Sequence, residues 1–521
     1  GQHRTGKVRC CTQFLPPPRF KFRFQYWRQR HGLKLATITM LAAVTFSVLS
    51  LPLLQRLAGG FFSSPESLAA LRSLLGGTGT ALIGATAIAF SLIVFAMQTN
   101  VERMPHRLFR QLSSDRRLLS SFLGSFLTAI LVAGTSLIPD GSWGIPAIVI
   151  AAWGIAITLL LFLFAYRRAL QLINPIEQLA IMSKVARHDL RRWGRLADKA
   201  SILLQEAQQP TATDAAADFP FNAPKAAFFA ANTCWSASAK QAIHYAVSYA
   251  KRFAEQGDYE VTDDAFKCIM LINGSYCAAK HGIFVTSNPF VEAPGVTDDF
   301  INTSLEQLRQ TMQAALARGD ERLAGSTLRA IGGLYGVYLM IEYSGRGSSK
   351  HHALLASGYL NSAVESVIPH NMPDLMMEGI RLMGRASRLA LEHANPTEIV
   401  ITANKIATLS YVGMLKTSHH PVTLIAFEQL ADITYDLLIK GRGDIGYPVR
   451  QLRSAVAEAA KGFLATPDTP LTSTHQSTLG PYFSNTSFTS LRGRLSALVN
   501  QLLDAPEDSA PAGQIIGNIE M

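Results

Sequence analysis

The stretch that decides the fold is residues 141–166, which read GSWGIPAIVIAAWGIAITLLLFLFAY and contain no charged residue. Three more uncharged runs lie upstream, at 35–55, 79–101 and 118–139. A helix rises about 1.5 Å per residue and the hydrocarbon core of a bilayer is about 30 Å thick, so about 20 apolar residues cross it. Each run is long enough. The sequence therefore predicts a four-helix transmembrane domain over 35–166, whose last span covers 144–166.

The overall composition agrees with a membrane protein. Of 521 residues, 48% are hydrophobic and 16% are charged, whereas a soluble globular protein carries roughly 25% charged residues. Five cysteines exclude a disulfide scaffold. The net charge of +11 divides into +9 for residues 1–34, +5 for 35–168 and −3 for 169–521. A nucleic-acid-binding protein keeps its basic residues on the folded domain, so we expect no nucleic acid partner.

The positions of Lys and Arg predict how the chain is threaded. The first run follows a basic leader, and Arg167 and Arg168 follow the last. The turn between the second and third runs holds five arginines: Arg103, Arg107, Arg110, Arg116 and Arg117. The positive-inside rule assigns all three flanks to the cytoplasm, so we expect four crossings and both termini cytoplasmic. The five arginines anchor this topology through lipid contact, or alternatively form a basic ring at a cytoplasmic vestibule.

The leader, residues 1–34, interleaves basic and aromatic side chains at 19–28, RFKFRFQYWR. This order suits the headgroup region of a bilayer, although single-strand nucleic acid platforms use the same residue types. Its position beside a membrane span favours lipid. The leader is too long for a cleaved signal peptide, so we expect a retained anchor. The first methionine, Met40, lies inside the span, so we expect that translation does not begin at Gly1.

The loop after the first span contains a helix-start signal and a helix-stop signal. Ser64 is suited to the N-cap, Pro65 to the first helical position, and Gly76 and Gly77 to the end of a helix. These signals predict a short helix that is unable to cross the membrane and lies at its outer interface.

Polar and small residues follow one face of the second and third spans. The candidates for lining a pore are Thr80, Gly84, Ser91 and Gln98 in the second span and Ser121, Ser125 and Thr128 in the third. Such stripes form either close helix packing or the wall of a water-filled path. The second interpretation needs a homo-oligomer, because four helices do not enclose a pore. The spans contain no Asp, Glu, Lys, Arg or His, which argues against a proton-driven pump.

The same two spans carry a family signature. It consists of Phe90-Ser91 with Ala96 and Gln98 (F-S-x4-A-x-Q), then Met104-Pro105-His106-Arg107, Asp115-Arg116 and Gly124-Ser125-Phe126. The order resembles a bacterial family of polytopic inner-membrane proteins that is catalogued as a domain of unknown function. Its members read F-S-P-R at the turn, where this chain has Met-Pro-His-Arg. The resemblance covers about residues 80–130 and implies a bacterial inner-membrane protein with a cytoplasmic helical domain. It implies no activity.

The remainder of the chain is predicted to be helical, which makes the fold class all-α. A charged helix over 167–208 and a linker over 209–225 precede a cytoplasmic domain at 226–505, and 506–521 is predicted to be a flexible tail. Helical units of this domain are predicted at 299–317, 321–343, 353–367, 375–393, 398–415, 422–440, 449–463 and 487–503. Helices of this length with short loops indicate a bundle or an irregular α-solenoid.

The helical domain contains no catalytic or metal-binding motif. Phosphate-loop, His-Glu-x-x-His and G-x-S-x-G patterns are absent from the sequence. His351–His352 and His419–His420 are adjacent pairs, whose side chains point apart on a helix. Cys234, Cys268 and Cys277 lack zinc spacing, and we expect them to be buried thiols. We therefore expect no enzyme activity, no metal and no cofactor.

Two functions follow from these observations. The preferred hypothesis is an oligomeric channel or passive transport protein, with the second and third spans lining the path and the helical domain as a cytoplasmic vestibule or gate. The alternative is a membrane-anchored scaffold or sensor that binds a protein partner through the helical domain.

Overall fold

The computed structural model describes residues 45–47, 49–56, 64–101, 116–137, 143–207, 221–285, 298–343, 349–464, 480–482, 484, 489–503 and 510–520. Helices dominate these ranges, and no strand is assigned within them, so the all-α class is confirmed. The chain divides into two compact units, residues 1–173 and 174–521. We describe each unit by itself and call them the membrane unit and the helical unit.

The membrane unit contains three long helices: α1 (Pro65–Val101), α2 (Arg116–Gly134) and α3 (Gly144–Ile173). Each includes a stretch long and apolar enough to cross a bilayer. A 3₁₀ turn at Thr135–Leu137 extends α2. Of the first predicted span, only 45–47 and 49–56 are described, and both pieces are helical. The fourth crossing therefore rests on residues outside the described ranges and stays a prediction.

Helix α1 corrects the prediction of a short outer helix. Its start agrees with that prediction, because the backbone N–H of Ser67 donates to Ser64 Oγ (3.4 Å) and Pro65 occupies the first helical position. The predicted end of the helix is wrong, because the helix continues through Gly76 and Gly77 without interruption. Glycine inside a helix costs about 1 kcal/mol relative to alanine. In an apolar medium the cost of leaving backbone groups unpaired is larger, so a continuous helix is favoured.

Close backbone contacts hold α1, α2 and α3 together. A Cβ added at Gly79 would lie 2.5 Å from the backbone of Ala133, so no larger residue fits at this crossing of α1 and α2. Nearer the other end of α1, the rings of Phe90 and Phe122 meet edge to face, with centroids 5.0 Å apart. These two contacts show that α1 and α2 run antiparallel. Gly154 of α3 packs against side chains of α2, since a Cβ added there would lie 2.3 Å from Val132 Cγ2. Small residues at helix contacts are common in membranes.

The helical unit consists of thirteen α-helices in the described residues. They are α4 (Pro175–Ala207), α5 (Ala223–Ala231), α6 (Ala237–Glu255), α7 (Tyr259–Ala279), α8 (Asp299–Arg318), α9 (Glu321–Leu339), α10 (His351–Glu365), α11 (Pro373–His393), α12 (Ile399–Leu415), α13 (His420–Lys440), α14 (Gly446–Leu464), α15 (Leu491–Leu503) and α16 (Ala510–Glu520). Their bounds lie within a few residues of the predicted ones where both exist. Each helix from α6 to α12 packs against the next helix but one, so the helices form two rows. One hydrophobic core runs between the rows, from Leu179 to Ala459.

Two predicted boundaries are different in the structure. The predicted helix over 167–208 is two helices, because α3 ends at Ile173 and α4 begins at Pro175. Proline lacks the N–H that would continue α3, and the side chain of Asn174 caps the new helix by accepting from the backbone N–H of Ile176 (3.0 Å). The predicted flexible tail contains α16, whose Asn518 donates to the carbonyl of Leu438 (2.9 Å). This tertiary contact leaves no signature in the local sequence.

Candidate functional site in the membrane unit

The polar stripe of α1 lies on the surface of the membrane unit. Thr80, Gly84 and Ser91 are all exposed, and a Cβ added at Gly84 would touch nothing within 4 Å. The Thr80 hydroxyl donates to the carbonyl of Gly76 (2.9 Å), so it is satisfied without a partner from another helix. This face of α1 is thus turned away from α2 and α3.

The stripe is longer than the sequence indicated. Ser73 and Gly77 are also exposed and share its face by helical periodicity. They were missed because the predicted end of the helix at Gly76–Gly77 separated them from Thr80. From Ser73 to Ser91 the stripe covers 18 residue steps, or about 27 Å, which is close to the thickness of the hydrocarbon core.

The stripe of α2 has the opposite environment. Ser121 and Ser125 are buried and Thr128 is half-buried. Each hydroxyl donates to a carbonyl of its own helix, with distances of 2.7, 2.9 and 2.7 Å to Leu118, Ser121 and Gly124, in that order. Hydroxyls bonded in this way permit close helix contact without an unpaired polar group.

The structure therefore does not bring the two stripes onto one surface. The prediction grouped them as one polar lining, whereas the α1 residues face outward and Ser121 and Ser125 lie inside the helix packing. A repeat of three and four residues identifies a helix face but carries no information about what that face contacts. Of the candidates whose side chains are described, the α1 residues are exposed, Thr128 is half-buried, and Ser121 and Ser125 are buried.

Several predicted residues lie outside what the structure describes. Arg103, Arg107 and Arg110 fall outside the described residues. Gln98 and Arg116 belong to α1 and α2, but their side chains are not described. Arg117 is described and exposed at the start of α2. The predicted basic ring and the inner end of the stripe thus stay predictions.

Two apolar cavities open on the membrane unit. A cavity of 490 Å³ is lined by Ser47, Leu51 and residues of α2 and α3, and Trp153 Nε1 there donates to Ser47 Oγ (3.1 Å). A second cavity of 410 Å³ lies between α1 and α3 near the end of α3, with Phe122 of α2 at its wall. Among the described residues that line it, Tyr166 is the one with a polar side chain. Neither cavity was predicted, since both depend on how the helices cross.

In the helical unit the most polar buried cluster is centred on Asp298, the N-cap residue of α8. Its carboxylate accepts from the N–H groups of Phe300 and Ile301 (3.0 and 3.1 Å), from Tyr276 Oη (2.9 Å) and from Lys280 Nζ (2.7 Å). Burial opposes ionisation, but Lys280 and these hydrogen bonds outweigh it and hold the pKa of Asp298 below its usual range. Every acceptor site of the carboxylate is occupied, so the cluster is structural.

The histidines and cysteines of the helical unit do not form a reactive set. Tyr343 Oη accepts from the backbone N–H of His352 (3.0 Å) and donates to its Nδ1 (2.7 Å), and burial lowers the pKa of His352 to about 4. Burial raises the pKa of the Cys268 thiol to about 11. Cys277 is half-buried and Cys234 is exposed, so the expectation of three buried thiols is wrong for Cys234. No group of three potential metal ligands occurs among the described residues.

Part of the chain is similar to a known family of proteins. Residues 32–232 match a family model described as "Predicted membrane protein (DUF2254)". The resemblance seen in the motifs is confirmed. The DUF2254 match includes α1, α2 and α3 and extends through α4 into α5. The description names a membrane protein and no activity.

Two further comparisons add no function. No curated protein matches the chain. A solved structure titled "Circular tandem repeat protein with novel repeat topology and enhanced subunit contact surfaces" aligns over 85% of this chain and 96% of its own, with 10% identity and a TM-score of 0.36.

Proposed function

We propose that this DUF2254 protein is a homo-oligomeric channel or passive transport protein, in which the α1 stripes of several subunits face one another. The observation that carries the proposal is the exposure of Ser73, Gly77, Thr80, Gly84 and Ser91 along one face of a membrane helix. A helix face that contacts only lipid tails is stabilised no better by serine, threonine or glycine than by leucine. A face shared with other subunits uses them either for close approach or for a polar path.

The chemistry of the spans supports passive movement. Residues 79–101, 118–139 and 144–166 contain no titratable side chain of the kind that proton-coupled transporters place in the membrane. We propose no catalytic activity and no bound cofactor. The placement that we propose is the bacterial inner membrane, with both termini cytoplasmic, because all three basic flanks then share one side.

For the helical unit we propose a cytoplasmic, irregular α-solenoid that acts as a vestibule or gate. The two rows of helices support the solenoid, since stacked helix pairs make contacts between each helix and the next but one. The net charge of −3 over 169–521 supports a soluble compartment rather than a membrane surface.

The test is flux through the full-length protein in liposomes, measured for potassium, chloride and glycerol. We expect flux of at least one of them, and we expect Ser91→Leu and Gly84→Leu to reduce it at least tenfold, because leucine narrows the path and makes its lining apolar. The matched control is Leu119→Phe, which adds bulk at a position of α2 that is 61% exposed and outside the stripe. Its flux should equal that of the native chain.

A second measurement distinguishes a water-filled path along the α1 stripe from a stripe that only packs against another subunit. Thiols at Ser91→Cys and Leu92→Cys are compared, in a chain whose five cysteines are replaced, for reaction with a charged, membrane-impermeant reagent. A water-filled path requires rapid reaction at position 91 and slow reaction at position 92. No flux of any probe under varied voltage and tension, together with equal protection of both thiols, contradicts the channel and favours the scaffold.

A further inference from the structure

The cavity between α1 and α3 has the dimensions and chemistry of a lipid site. Its volume of 410 Å³ lies within the range of about 300–1,000 Å³ that is typical of ligand pockets. Helix α1 contributes Ala89, Leu92 and Ile93, and the C-terminal part of α3 contributes Phe162 and the residues from Ala165 to Leu170 that face it. An apolar cavity that opens between membrane-spanning helices is accessible to acyl chains.

The position of the cavity along the membrane selects one leaflet. Because α1 and α2 run antiparallel, and Gly124 and Gly154 pack α2 and α3 antiparallel as well, the C-terminal ends of α1 and α3 share one side. The cavity lies at that end, where α2 begins at Arg116. It therefore belongs to the leaflet that the basic turns face.

Two arginines follow the cavity-lining Tyr166 along α3. Tyr166 lines the cavity and is exposed, and Arg167 and Arg168 follow it immediately. On the helix, Tyr166, Ala169 and Leu170 share one face, whereas Arg167 and Arg168 lie about 100° and 160° around the helix from Tyr166, at the level of the cavity but outside its lining. Arg167 is exposed, whereas Arg168 is half-exposed and donates to Gln171 Oε1 (3.3 Å). Tyrosine and arginine at a span's end suit the headgroup level, where cations attract anionic lipids.

We propose that this α1–α3 cavity binds an acyl chain of an anionic phospholipid, whose headgroup lies against Arg167 and Arg168. A zwitterionic lipid fills the cavity equally well with its chain but gains no net attraction from the two arginines. The site is independent of the proposed channel, because its lining residues belong to one subunit and do not include the exposed stripe of α1.

The experiment is native mass spectrometry of the full-length protein, delipidated in detergent and supplied with phosphatidylglycerol or phosphatidylcholine of identical chains. We expect preferential retention of phosphatidylglycerol. One arginine near an anionic headgroup contributes about a fivefold preference, so Arg167→Gln with Arg168→Gln should reduce the preference by roughly 25-fold. The matched control is Arg191→Gln with Arg192→Gln, which removes the same charge from the exposed face of α4 and should leave the preference unchanged.

A second pair of variants tests whether the cavity binds the acyl chain of the lipid. Ala89→Phe fills the cavity and should lower retention of both lipids, whereas Ala81→Phe, on the exposed surface of α1 outside the cavity, should not. Proximity is measured independently with Tyr166→Trp, whose added fluorescence should be quenched more by chain-brominated phosphatidylglycerol than by the brominated choline lipid.

Several results would overturn the site. They are equal retention of the two lipids by the native chain, an unchanged preference after loss of Arg167 and Arg168, and an equal loss in the α4 control. Equal quenching of Tyr166→Trp fluorescence by both lipids would also contradict the proposed lipid site. If Ala89→Phe does not fold, the quenching measurement still tests the site.

Discussion

At the scale of single residues, Asp298 shows how one buried carboxylate joins two helices, α7 and α8. It caps α8, accepts from Tyr276 of α7, and pairs with Lys280 just beyond the end of α7. Its side chain is 1% exposed and that of Lys280 is 18% exposed. Removing one partner of a buried ion pair costs about 3–5 kcal/mol, since the other charge stays buried without compensation.

We therefore expect Asp298→Ala to lower the free energy of unfolding of the helical unit by about 3 kcal/mol or more. Asp298→Asn should cost less, because asparagine still caps a helix. Thermal unfolding of the full chain in detergent measures both. The neighbouring Asp299→Asn removes an exposed pair with Lys240 and should change stability by less than about 1 kcal/mol. Equal losses at positions 298 and 299 would contradict this account.

The lowered pKa of His352 predicts that the stability of the helical unit depends on pH. Its pKa falls from 6.5 to about 4, first because of burial, with Asp298 opposing and His351 and Lys280 assisting the decrease. Between these two values the unfolded chain binds a proton that the folded chain does not, so stability falls as pH decreases from about 6.5 to 4. A depression of this size corresponds to at most about 3 kcal/mol.

Replacing the titrating ring should flatten this dependence. We expect the difference in unfolding midpoint between pH 7 and pH 5 to shrink in His352→Gln, whereas His244→Gln, at an exposed position, should retain the native difference. An unchanged pH dependence in His352→Gln would exclude His352 as its source. The sequence showed the adjacent pair His351–His352 but had no means to show that Tyr343 would bury one of them.

At the scale of elements, glycine has opposite roles at two positions of α1. Gly79 lies where a Cβ would meet the backbone of Ala133 at 2.5 Å, while Gly84 has open space around it. We expect Gly79→Ala to force α1 and α2 apart and to destabilise the membrane unit by about 1–3 kcal/mol. Gly84→Ala should be neutral or slightly stabilising, because alanine favours a helix.

The measurement is thermal unfolding in detergent, together with crosslinking between cysteines placed on α1 and α2 near this crossing. Loss of the crosslink in Gly79→Ala but not in Gly84→Ala would support the packing. Similar behaviour of the two variants would show that the close approach at Gly79 does not hold the helices together. Both glycines look alike in the sequence, and their difference comes from the neighbouring helix.

At the scale of the whole molecule, the threading of the chain is the main prediction. Four crossings place both ends of the printed chain in the cytoplasm, whereas three crossings place them on opposite sides. We expect green fluorescent protein fused after Met521 to fluoresce and alkaline phosphatase at the same place to be inactive. The same reporters fused before residue 1 should behave identically. An active phosphatase at either end would contradict the topology.

Apolar runs and basic flanks in the sequence were sufficient for the all-α class and the membrane setting, because the cost of burying charge in lipid acts on composition alone. The family resemblance came from the signature residues of the second and third predicted spans. Most helix bounds of the helical unit were also predictable from periodicity and capping residues, which are local. The separation of the two polar stripes was decided by tertiary structure, as were the cavity between α1 and α3 and the partners of Asp298. Each depends on which helices meet, and no periodic pattern within one helix specifies its neighbour.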